Sequence, residues 1–154
     1  MKTISTLTTA MVAFCLTLTI SLAADYKNGV SATVLKKSLV TDNGRKIAYP
    51  VTDRAEVTAV TVDLAVGAET GWHSHPIPVY AYVVSGVLTV ELENGRATTY
   101  QEGDAIFEVV NTLHNGRNLG KVPVRLAVFY TGIEGAPNVV KPASPHPAIT
   151  PQAQ

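Results

Sequence analysis

The sequence is almost without cysteine: one stands among 154 residues, Cys15, inside an apolar segment near the N-terminus. Everything after it lacks a thiol, so it can form no disulfide and has no cysteine nucleophile or thiolate ligand. Metal chemistry is narrowed to His, Glu, Asp and water. An excess of charge is also missing, because 12 Lys and Arg balance 12 Asp and Glu. No basic patch argues for nucleic acid, and no acidic excess argues for a cationic partner. No stretch sustains a 3.6-residue apolar period, so few helices are expected. The longest apolar stretch falls short of the roughly 20 residues that a bilayer-spanning helix needs. Histidine is scarce too, with four in the chain.

What is present fits one ordinary domain that can bury a core, with 46% hydrophobic and 16% charged residues. Residues 1–23 differ in kind. Lys2 supplies a positive start, Ala10 to Leu22 is an apolar stretch of 13 residues, and Ser21-Leu22-Ala23 is a small-x-small site. This reads as a cleaved secretory signal peptide, with maturation after Ala23 or Ala24, and places the protein in the periplasm or outside the cell. A lipoprotein signal needs a small residue before its cysteine, whereas Phe14 precedes Cys15. No membrane anchor is therefore expected after cleavage, and the mature chain keeps 11 basic against 12 acidic residues.

The remaining chain is organised as a polar arm over residues 24–32, a β domain over 33–134 and a tail over 135–154. Thr33 to Val40 and Lys46 to Val51 are expected as short strands around the Asn43-Gly44 turn signal. Glu56 to Val66 reads as a strand with Val60, Val62, Leu64 and Val66 on one period-2 face. Further strands are expected at 81–84, 87–93, 96–100, 105–110 and 123–131. About nine short strands separated by Gly, Asn and Asp turns fit an all-β, antiparallel jelly-roll barrel or sandwich. The tail carries five prolines and little apolar periodicity, so it is expected to be extended or disordered.

The chain is organised around Gly67 to Gly86, GAETGWHSHPIPVYAYVVSG. His73 and His75 stand two apart between alternating runs. In a strand that spacing puts both imidazoles on one face with Cα atoms about 6.6 Å apart, close enough to grip one metal ion. His114 lies in a second turn-rich block, Gly103 to Asn118, GDAIFEVVNTLHNGRN. His146 sits in the proline-rich tail and is read as a surface residue.

These two blocks resemble the paired motifs of the cupin superfamily, G-x5-H-x-H-x3-E-x6-G and G-x5-P-x-G-x2-H-x3-N. The first is matched by Gly67, His73, His75 and Gly86, with Val79 at the glutamate position. The second is matched by Gly103, His114 and Asn118, with Val109 for proline and Asn111 for glycine. The resemblance implies the jelly-roll fold independently of the strand pattern. It also implies one divalent transition metal held by His73, His75 and His114, with iron the first choice and Mn, Zn, Ni or Cu open. Because Val79 cannot ligate, the expected ligand set is neutral, leaving the ion its full 2+ charge for an anionic or chelating small molecule. Cupin relatives are commonly dimers, so a homodimer and a monomer both stay open.

Two residues are candidates for the missing carboxylate's work. Tyr80 is adjacent to Val79, but one step along a strand turns it to the opposite face, which favours an outer packing role. Glu108 is a charge within an apolar strand, AIFEVV. It is a candidate catalytic base or partner to a ligand, with an ion pair to Arg117 as the structural alternative. Trp72 and Tyr82 are read as packing residues, Asn118 as a turn residue, and Pro76 and Pro78 as stiffeners of the loop after His75. Three functions follow: a three-histidine dioxygenase or oxidoreductase as the family resemblance implies, a Lewis-acid isomerase or lyase, and a non-catalytic binding module.

Overall fold

A computed structural model describes residues 29–144. The signal-like segment and residues 145–154, His146 included, lie outside the described residues. The chain divides into two units, Met1–Val34 and Leu35–Gln154, and every element below belongs to the second. Among the described residues there are seven strands and no helix: β1 Ala55–Leu64, β2 Val79–Ser85, β3 Val87–Leu92, β4 Ala97–Gln101, β5 Ala105–Phe107, β6 His114–Arg117 and β7 Val124–Ile133. They build two antiparallel sheets, one in the order β1-β7-β2-β5 and the other β4-β3-β6. This is the all-β jelly-roll arrangement that the turn and strand pattern predicts.

Period-2 patterning explains which faces meet. In β2, Val79, Ala81 and Val83 are buried while Tyr82 and Val84 are exposed, and in β7 Val124, Leu126 and Val128 point inward. Leu88 and Tyr100 meet them from the smaller sheet, so the core lies between the two. Gly86 forms the corner that carries β2 into β3. Its φ of 86° is left-handed, and a Cβ there would stand 2.6 Å from the carbonyl oxygen of Pro123.

The first expected strand pair is reduced to a single bridge, Val40 to Lys46, around the turn at 42–44. The flanking residues are mostly exposed. The turn instead docks on the barrel through Asp42, whose N–H donates to the carbonyl of Phe107 at 2.9 Å and whose carboxylate accepts from Tyr100 Oη at 2.7 Å. Lys36 Nζ donates to the other oxygen of that carboxylate. The apolar face of β1 is also shorter than expected. Val62 and Leu64 pack on the core, but Val60 is exposed and Val66 lies beyond the end of β1 and is exposed too.

One strand was not legible at all. His114–Arg117 reads as a turn, HNGR, yet it pairs with β3 in the register Leu92 to His114 and Thr89 to Arg117. That pairing brings the third histidine into the interior.

Candidate metal centre

The segment carrying His73 and His75 is not a long strand but three consecutive bridges. His73 pairs with His114, Ser74 with Val140, and His75 with Val110. The His73 and His114 backbones exchange hydrogen bonds of 3.0 and 2.9 Å, which seats two of the three imidazoles side by side. On the other flank, the N–H of Asn111 donates to the His75 carbonyl at 2.8 Å. Asn111 has φ of 50°, the only left-handed non-glycine residue among those described, so the position where the motif carries glycine keeps the glycine conformation.

The three rings converge, with centroids 4.3 Å apart for His73 and His114, 4.9 Å for His73 and His75, and 5.0 Å for His75 and His114. Each has one nitrogen available as a ligand atom within 4.8 Å of the others. In every ring Nδ1 is engaged by a backbone carbonyl: Gly71 for His73 at 2.7 Å, Asn138 for His75 at 2.8 Å and Thr112 for His114 at 2.9 Å. Carbonyls only accept, so each Nδ1 carries a proton and Nε2 is the nitrogen left for a metal.

Glu108 completes the cluster. Its Oε2 lies 3.2 Å from Nε2 of His75 and 3.2 Å from Nε2 of His114. It does not pair with Arg117, which contacts Glu69 at 3.4 Å and Glu91 at 3.5 Å. The ligand group remains the three histidines, and the candidate partner Glu108 sets an anionic oxygen beside two of them. Glu108 lies just beyond β5, which ends at Phe107 rather than continuing through Val110.

The electrostatics are those of a charged group held inside. Burial alone would raise the Glu108 pKa, but the facing imidazoles of His114 and His75 reverse this and hold it below the usual carboxylate range. Burial and the neighbouring His114 push His73 down to about 4. His75 is pushed down by burial but up by Glu108 and by its hydrogen bond to Asn138, and ends above its ordinary value.

A recess of about 410 Å³, part of it open solvent, lies over the rings, walled by Leu88, Leu126 and Val128 and edged by Thr70 and Tyr130. Tyr130 stands 5.6 Å from His75, ring to ring, and burial followed by the Glu108 charge raises its pKa. It is a functional candidate that the sequence analysis missed, although it continues the inward alternation of Val124, Leu126 and Val128. Tyr80, as expected, turns outward, bonding Tyr49 at 2.8 Å and packing on Phe107.

Of the two forms expected for the tail, its first residues take the extended one, laid against the site. Val140 and Ser74 exchange two backbone hydrogen bonds of 2.9 Å, and Asn138 holds His75. Asn118 is more than a turn residue. It is fully buried, donates to the carbonyls of Leu64, Ala65 and Val122, and accepts from the N–H of Gly120.

Among known families, the model of the Cupin domain matches residues 60–130, the stretch that holds all four centre residues. The chain carries a cupin domain over that stretch. No curated protein matches it. Solved structures similar to this cupin include a Bacillus halodurans protein, 23% identical, covering 55% of this chain and 68% of that one with a TM-score of 0.48. Another is an uncharacterised Klebsiella pneumoniae protein with a double-stranded beta-helix domain, 18% identical, covering 60% and 90% with a TM-score of 0.49. A third is the polyketide cyclase RemF of Streptomyces resistomycificus, 20% identical, covering 55% and 58% with a TM-score of 0.48.

The residues present fit a divalent cation. Nε2 of His114 is buried and makes no hydrogen bond, although Glu108 lies 3.2 Å away. An orphaned buried nitrogen is costly unless something takes its lone pair.

Proposed function

We propose that this cupin is an exported, metal-dependent enzyme acting on a small anionic or chelating molecule, with His73, His75 and His114 as metal ligands. The observation that carries the proposal is the Glu108 carboxylate, 3.2 Å from two imidazole nitrogens in an apolar recess. A binding module needs donors, but it does not need an ionised carboxylate kept at the expense of burial.

When bound, a divalent ion supplies Lewis acidity and a docking point for a negatively charged oxygen. Glu108 is ionised and accepts a proton from a molecule held in the recess. Tyr130, kept protonated by its surroundings, donates a hydrogen bond to the same molecule. Leu88, Leu126 and Val128 exclude water and strengthen every charge interaction inside. The three Nδ1 contacts to backbone carbonyls fix the rings so that no reorganisation precedes binding. Proton transfer on a chelating substrate is thus the favoured chemistry, with iron the first choice of metal only where the reaction consumes oxygen.

The deciding experiment is elemental analysis of Ala24 to Gln154, prepared without a metal-affinity tag, beside a His73→Ala/His75→Ala variant. About one equivalent of a transition metal in the wild type and none in the variant is expected. Oxygen uptake with candidate chelating substrates then separates the dioxygenase from the isomerase or lyase. No metal in either preparation, and no stabilisation by added Fe, Mn, Ni, Cu or Zn, would reject the enzyme reading and leave the binding module.

A further inference from the structure

Two of the three histidines are held by their own loops. His73 and His114 each donate to a carbonyl two residues earlier, Gly71 and Thr112. His75 differs, because its Nδ1–H donates to Asn138, 63 residues away. One ligand of the centre is therefore oriented by a segment that follows the last strand and lies outside residues 60–130.

The path of that segment is defined. β7 ends at Ile133, where the N–H of Glu134 donates to the Arg54 carbonyl at 2.9 Å and Arg54 Nε donates to the Glu134 carboxylate at 2.9 Å. Gly135 then takes a left-handed φ of 77°, and the Ala136 N–H closes the turn on the Ile133 carbonyl at 2.9 Å. The chain runs back to Val140, whose reciprocal 2.9 Å hydrogen bonds with Ser74 clamp it beside the residue between the two histidines. The clamp leaves the Asn138 carbonyl over His75, which is 2% exposed.

We propose that Ala136–Val140 is a positioning strap for the metal centre, in which the Ser74–Val140 pairing seats the Asn138 carbonyl so that His75 presents Nε2 to the metal. Its consequence for metal affinity rests on the metal-ligand reading above, but its effect on the ring does not. A neutral imidazole without a fixed acceptor at Nδ1 is free to carry its proton on either nitrogen and to rotate. Loss of such a partner weakens metal binding by about 10- to 100-fold.

The test uses Val140→Pro, which removes the N–H donated to Ser74, with Val140→Ala as the control that keeps it. Val140 is 43% exposed, so the alanine control loses little packing. Nitrogen-15 shifts of the His75 ring, measured on metal-free protein at about pH 9 where imidazoles are neutral, report the tautomer directly. Wild type and Val140→Ala are expected to show the Nδ1–H form, and Val140→Pro a mixture. Cobalt affinity by chelator competition should fall about 10- to 100-fold in Val140→Pro alone. A single Nδ1–H tautomer in Val140→Pro overturns the strap. If Val140→Pro does not fold, Asn138→Gly/Val139→Gly loosens the same segment with every N–H retained and is read in the same way. Failure of wild type to bind cobalt rejects the metal reading, while the tautomer measurement still decides the strap.

Discussion

The backbone N–H of Glu108 donates to the carbonyl of Val79 at 2.9 Å. The two residues continue the β2 to β5 register in which Tyr80 faces Phe107 and Ala81 faces Ile106. Residues opposed across antiparallel strands share a face. Val79 occupies the position at which the cupin motif carries glutamate, so the carboxylate that the motif lacks is supplied from one step across the ladder.

That relationship predicts the outcome of an exchange. Glu108→Gln keeps the shape but loses the charge, and should lower metal affinity about 10- to 100-fold and turnover about 10²- to 10⁴-fold. Val79→Glu alone puts a second carboxylate into a core position that is 1% exposed, and should destabilise the fold. In Val79→Glu/Glu108→Val the single carboxylate is restored from the other strand, and metal affinity should recover most of the loss. Chelator competition on the four proteins checks this, and a double variant no better than Glu108→Gln would refute the exchange.

The strand pattern and the histidines could be read from the sequence because each rests on local spacing. Period-2 runs gave β1, β2, β3, β4 and β7, and the two-apart histidines gave two of the three converging rings. The place of Glu108 was not legible, because it depends on the register between β2 and β5 and on β5 stopping at Phe107. A charge in an apolar run signals a role, but not which partner it faces. β6 was hidden since Asn115 and Gly116 read as turn residues, and only pairing with β3 makes them strand. The strap was hidden for the converse reason. Prolines argued for an extended or disordered tail, and the choice between the two comes from two hydrogen bonds to Ser74 and one to His75, none of which leaves a mark in composition.

Acid should weaken the metal-free fold in a defined window. His73 titrates near 6.5 when unfolded and at about 4 when folded, because burial and then His114 oppose its charge. Between those values the unfolded chain binds more protons, so the contribution is present above about pH 6.5 and is lost as pH falls through about 4. Glu108, held below its usual range, adds a loss at lower pH still. His75, raised in the fold, acts in the opposite sense, stabilising below its unfolded value and losing that contribution as pH rises through its folded one. Urea unfolding from pH 7 to pH 4 should show a falling midpoint, and His73→Ala should flatten the fall. An unchanged slope in that variant would reject the assignment to His73.

Asn118 should prove a stability residue. Its amide group is the shared partner of three carbonyls from the β1 end and the loop before β7, at 3.1, 3.1 and 2.9 Å. Asn118→Ala takes that partner from the Leu64 and Val122 carbonyls and from the Gly120 N–H in a fully buried place, while the Ala65 carbonyl keeps the Ala68 N–H at 3.0 Å. Each unsatisfied group costs about 1 to 3 kcal/mol, and a total loss of about 3 kcal/mol or more is expected by denaturant unfolding. Asn118→Asp keeps the acceptor for Gly120 but aims a charge at three carbonyls, and should be worse. A loss within about 0.5 kcal/mol for Asn118→Ala, the usual range for surface changes, would show that water replaces the side chain.

The corner at Gly86 separates two costs that glycine positions usually combine. Gly86 and Gly95 have nearly the same left-handed conformation, with φ of 86° and 82°. An added Cβ at Gly95 meets nothing within 4 Å, while at Gly86 it stands 2.6 Å from Pro123 O and 3.0 Å from Val124 Cα, backbone atoms that cannot swing aside. Gly95→Ala should therefore cost about 1 to 2 kcal/mol from conformation alone. Gly86→Ala should cost that plus about 1 to 3 kcal/mol for crowding beside Val124, which is fully buried. Crowding there pushes β2 away from the start of β7, and β2 carries Val79 opposite Glu108. Gly86→Ala should thus weaken cobalt binding as well as stability, whereas Gly95→Ala should leave binding unchanged. Equal unfolding free energies for the two variants would mean that the approach of β7 to the corner contributes nothing.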